Sequence, residues 1–167
     1  MTITPLALLL SFWLHMLATV VWLGSLAALA TFVLPSLRRS LKPADYASAV
    51  VSINRRLDPL GWFCLGLLTF TGLLQMDSSP SYQGLFAIVN PWSVAMCAKH
   101  LVFIGMILVS GYLTWSVAPA LQTAALQRAG GKRVLDQQVL RRFQLLIIAN
   151  LALGILVLVF TALARVS

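Results

Sequence analysis

The chain contains no glutamate. Its acidic side chains are four aspartates, and three of them, Asp45, Asp58 and Asp136, lie in or beside basic segments. No pair of carboxylates is spaced for general acid–base hydrolysis. No Ser/His/Asp set or phosphate-cradling glycine loop can be read either. Acidic residues are missing from the apolar runs, which argues against a proton-coupled transporter. Asp58, directly before Pro59, reads as an N-cap opening a helix. Cysteine is almost as scarce, with Cys64 and Cys97 the only two. One follows a basic segment and the other an uncharged loop, so they are expected at opposite depths with no disulfide between them. There is no CxxC, no HExxH and no run of methionines. Conventional hydrolases and thiol-rich metal modules are thereby excluded.

What the sequence has in abundance is apolar length. Of its 167 residues, 60% are hydrophobic and only 10% are charged, against about 25% charged in soluble domains. Four apolar runs, at about 6–34, 60–74, 92–118 and 145–164, are each consistent with a membrane span. The expected fold is all-α: a polytopic four-helix membrane bundle forming one domain over residues 1–167, with the lipid bilayer as its main partner. The first run lacks a basic leader and is too long for the apolar part of a cleaved signal.

The net charge of +8 is topogenic in its placement. Arg38, Arg39, Lys42, Arg55 and Arg56 separate the first two runs, and Arg128, Lys132, Arg133, Arg141 and Arg142 separate the last two. Ten of the twelve basic residues therefore fall in two short segments. By the positive-inside rule both segments are cytoplasmic, both termini are extracytoplasmic, and the loop from Asp77 to Pro91, which carries no Lys or Arg, is outside. No aromatic residues interleave with the basic ones, so a nucleic-acid partner is not indicated.

The two halves resemble each other. "HMLATVVWLGSLAALATFVLPSLRR" begins at His15, and "HLVFIGMILVSGYLTWSVAPAL" begins at His100. Each runs about twenty apolar residues to a proline, and an arginine pair opens the next span. The reading is of two repeated helical hairpins related by an axis along the membrane normal. Pro35 lies 20 positions after His15, and Pro119 lies 19 after His100. Each proline is thus about 30 Å along a helix from its histidine. With the prolines near the cytoplasmic face, both histidines belong in one layer near the outer boundary.

Ionisable residues within spans are functional candidates, and His15 and His100 form the candidate pair. Met96, Cys97 and Ser93 are expected on the face of His100, and Met16, Thr19 and Trp22 on that of His15. Lys99 is expected to point about 100° round the helix, with its amine snorkelling outward. Two imidazoles at one depth could ligate the iron of a b-type haem. Together with Cys97, Met96 or Met16 they could instead make a nitrogen and soft-sulfur copper site. A third reading is a structural subunit of a larger complex, with both histidines only hydrogen-bonded.

"HMLATVVWLGSLAALATFVLPSLRR" resembles the first helix of the copper-resistance protein D (CopD) family: a histidine, then W-x-G, then a proline and a basic cluster. "RRLDPLGWFCLGLLTFTGLLQM" is similar to the following helix of that family, "WSVAMCAKHLVFIGMILVSGYL" to the next with its lysine at Lys99, and "LRRFQLLIIANLALGILVLVF" to the closing one. The resemblance implies an inner-membrane protein of copper transport or homeostasis, in a short four-helix form, with His15 and Lys99 at family positions. A periplasmic copper protein or a redox protein would be its partner. The related HemJ-type protoporphyrinogen oxidases bind haem through a first-helix histidine. The present chain departs from their first-helix pattern, with a shorter Trp-to-Gly spacing and "LPS" where an arginine follows the proline. A haem-dependent oxidoreductase is the one enzyme reading that this kinship keeps.

Overall fold

Four long helices account for the four apolar runs in the computed structural model, which describes residues 4–80, 82, 84, 88–129 and 137–166. Lys132, Arg133 and Asp136, with much of the expected external loop, lie outside the described residues. The first helix runs from Pro5 to Ser40 and the third from Pro91 to Gln127. The second spans Pro43–Asp77 and the fourth Gln137–Val166. All four are long and apolar enough to cross a membrane, and no strand occurs among the described residues. Many of their large apolar side chains face outward, among them Leu9, Trp13, Phe63, Phe70, Leu101 and Trp115. A surface of this kind is stable against lipid tails, not water.

Helix starts follow from local chemistry. Thr4 caps the first helix by accepting from the Ala7 amide, with Pro5 in the first turn where no donor is needed. Asn90 and Ser93 form a reciprocal capping box at the start of the third. Ser93, expected on the histidine face, therefore spends its hydroxyl on the cap: it donates to the Asn90 carbonyl at 2.8 Å.

The second helix departs most from the expectation. It begins at Pro43 and passes unbroken through Pro59, so Asp58 lies inside it and is not an N-cap. The stretch 43–57 is amphipathic. Tyr46, Val50 and Asn54, one turn apart, are buried, whereas Arg55 and Arg56 are exposed. The Tyr46 hydroxyl accepts from Gln144 Nε2 at 2.7 Å, tying this stretch to the fourth helix. Packing of that face holds the helix together where a proline alone would end it.

The first and third helices share an irregularity. Leu29–Val33 and Leu113–Val117 are π-helical turns, and each ends two residues before a proline, Pro35 or Pro119. A proline ring clashes with the carbonyl four residues back, here Thr31 and Trp115, and the widened turn relieves that clash. Both helices continue beyond their prolines, where the sequence suggested an end. The matching positions give the two halves the same internal design.

The first helix packs chiefly on the second and the third chiefly on the fourth, so the molecule is two hairpins laid together. At Gly154 the two hairpins touch closely. A Cβ there would overlap Leu23 Cδ1 and lie 3.3 Å from Met106 Cε. Gln144 to Tyr46 and Thr114 to Asp58 bridge the hairpins as well, and between these contacts space is left. Cys64 is buried, Cys97 is partly buried, and both are free thiols.

Candidate functional site

Both histidines line one cavity of about 370 Å³ between the hairpins, and all four helices contribute to its wall. The first helix supplies His15, Met16, Thr19 and Trp22; the second supplies Gly72; the fourth supplies Gly154 and Thr161. The third supplies Met96, Lys99, His100, Phe103 and Met106, a stripe recurring at three and four residues. Lys99 therefore shares the cavity wall with His100, against the expectation that it points away. The stripe is centred between the two residues, so each lies only half the 100° step from its axis. Cys97 falls off this stripe and is not among the cavity residues. Trp22 is buried and closes the cavity's inner end. Met16, Val20, Leu73 and Leu158 line the cavity and are also exposed, so it opens sideways toward lipid.

The hydrogen bonds around the imidazoles fix their tautomers. His15 Nδ1 lies 2.8 Å from Thr71 Oγ1. Thr71 is fully buried and donates its one hydroxyl proton to the Leu67 carbonyl at 2.6 Å. The threonine can then only accept, so His15 Nδ1 carries hydrogen. His100 Nδ1 lies 2.6 Å from the Met96 carbonyl, which has no proton to give, so His100 Nδ1 is also the donor. In the neutral ring the lone pair then sits on Nε2 in both cases.

The His15 side is held firmly. Ser11 donates to the Thr71 carbonyl at 3.3 Å, and Gln75 Nε2 donates to the Ser11 carbonyl at 3.2 Å. The first and second helices are thus clasped by polar bonds just beside the imidazole. Gly72 completes the fit, since a Cβ there would meet His15 Cε1 at 3.5 Å. Thr71 was not legible as a partner from sequence. The signal available was a hydroxyl in an apolar run, and many threonines there only bond their own helix, as Thr69 does to Leu65.

The donor set is two imidazoles with the thioethers of Met16, Met96 and Met106, and no carboxylate lines this cavity. Nitrogen and thioether sulfur are soft to borderline ligands, suited to Cu(I) and poorly suited to hard cations. No group of three or more His, Cys, Asp or Glu side chains able to hold a metal occurs among the described residues. A copper site here would therefore draw on methionine. Lys99 adds an amine to the same wall.

The family model for copper resistance protein D matches residues 51–164, more than half of the chain. The match takes in Thr71, Met96, Lys99, His100 and Met106 and leaves His15 outside. No curated protein and no solved structure matches the chain.

Proposed function

Given that the chain belongs to the copper resistance protein D family, we propose that it moves copper through a membrane, with the ion as cargo held between His15 and His100. The observation that carries this reading is the pair of tautomers: both Nδ1 atoms are engaged by oxygen acceptors, which leaves both Nε2 lone pairs for one cavity. A ring nitrogen bonded to a fixed oxygen is the usual support behind a metal-binding imidazole. Met96 and Met106 supply soft sulfur beside them, favouring Cu(I). Lys99, as an ammonium, opposes a cation in the same space. A transport site has to release its ion as well as bind it, and Lys99 serves that end.

In this reading the protein sits in the inner membrane. Its basic ends face the cytoplasm and the histidine ends face the periplasm. A periplasmic copper protein would meet it at the histidine side.

The test is a Cu(I) competition titration of the whole protein in lipid nanodiscs, with a visible spectrum of the protein as purified. Stoichiometric Cu(I) binding, lost in His15→Ala and in His100→Ala, supports the reading. A Soret band lost in the same variants would replace copper by haem. Neither signal would leave the histidines a structural role and overturn the proposal.

A further inference from the structure

On the other side of Trp22 the bundle holds a second cavity, of about 60 Å³, with different chemistry. Trp22 is the wall common to both. The polar residues here are Ser25 of the first helix, Asn54 and Asp58 of the second, Ser110 of the third and Asn150 of the fourth. No histidine, methionine, lysine or arginine lines it.

One buried group in it lacks a partner, and one half-buried carboxylate has no cation along the wall. Asn150 is 2% exposed. Its Nδ2 donates to Ser110 Oγ at 2.8 Å, but its Oδ1 is buried with no hydrogen-bond partner. A buried carbonyl oxygen without a donor is unfavourable and calls for a ligand. Asp58 is the only carboxylate side chain lining either cavity. Trp62 Nε1 donates to Thr114 Oγ1 at 3.1 Å, and Thr114 in turn donates to Asp58 Oδ1 at 2.6 Å. That chain orients the carboxylate without neutralising it, since both donors are uncharged. Ser25 gives its proton to the Val21 carbonyl at 2.6 Å and so offers only lone pairs to the space.

We infer that the inner cavity binds a small hard monovalent cation, of the sodium class, on oxygen ligands from Asp58, Asn150 and the serine hydroxyls. A carboxylate and an amide oxygen are hard ligands, which separates this site from the nitrogen and sulfur set beyond Trp22. One carboxylate balances one positive charge. The volume leaves room for an ion with a few waters to complete its shell. The inference goes beyond the copper reading and does not depend on it.

The experiment compares the whole protein in nanodiscs in sodium chloride and in choline chloride at equal ionic strength. Sodium is expected to raise the Tm by a few degrees in a saturating manner. The rise should vanish in Asp58→Asn and in Asn150→Leu, and persist in His15→Ala. Infrared difference spectra of the unaltered protein give a readout that needs no variant. With only four aspartates and no glutamate in the chain, few carboxylates share the band, so a sodium-dependent shift is resolvable. A Tm and a carboxylate band that are the same in both salts overturn the inference, as does a sodium effect retained in Asp58→Asn. The Cu(I) titration reads the other cavity, so the two proposals fail separately.

Discussion

Thr71 and His15, 56 positions apart on adjacent helices, are joined by a hydrogen bond of 2.8 Å in which the threonine can only accept. The bond fixes which imidazole nitrogen faces the cavity. Thr71→Val should leave a half-buried donor unpaired, costing about 1–3 kcal/mol of stability. It should also weaken Cu(I) binding by about 10–100-fold, as expected for loss of a group supporting a metal ligand. Thr71→Ser should retain most of both. Thermal unfolding and the competition titration check the two halves of this prediction. Equal Cu(I) affinity in the valine and serine variants would contradict it.

The close contact between the hairpins at Gly154 gives a packing prediction. Gly154→Ala should destabilise the bundle by about 1–3 kcal/mol, because the new methyl overlaps Leu23 and crowds Met106. Leu23→Ala in the same chain should recover part of the loss. A double-mutant cycle on Tm reads this coupling, and additive effects would show that the two residues do not share the contact.

Gly111 reports on the third helix. A Cβ there would lie 2.7 Å from the Trp115 ring, and Trp115 stacks on Trp62 with centroids 5.3 Å apart at 29°. Gly111→Ala should push the indole off its partner and change the near-ultraviolet circular dichroism of the pair. An unchanged spectrum, with the variant folded, would mean that the ring has room to yield.

Orientation can be read with added thiols. Ser40 and Ser78 are exposed at opposite ends of the bundle. In a background with both native cysteines replaced, Ser78→Cys should react with an impermeant maleimide applied to spheroplasts, and Ser40→Cys only after lysis. The reverse pattern would invert the placement of the basic ends.

The four helices were legible because runs of apolar residues near the bilayer's thickness have few other folds. The shared cavity of His15 and His100 was partly legible, through the repeat and equal spacing to the prolines. Asp58 was misread because Asp-Pro is the same dipeptide at a helix start and inside a helix whose neighbours hold it. Only the burial of Tyr46, Val50 and Asn54 separates the two cases, and the intervening charged residues conceal that face in the sequence. Lys99 was misplaced because the stripe was drawn through His100 and Cys97, when it is centred between Lys99 and His100. Thr71 and Asn150 could not be found from sequence, since their roles depend on atoms of other helices.

The paired π turns before Pro35 and Pro119 carry one consequence for how this chain tolerates change. Such a turn holds one residue more than the α-helix needs and leaves the facing of the flanking segments nearly unaltered. Each of these helices therefore has a spare residue at a known place. Removing one within Leu29–Val33 should keep His15 and Arg38 on their present sides, whereas a deletion a turn earlier would rotate one end against the other by about 100°. Length in these helices is adjustable there and nearly fixed elsewhere.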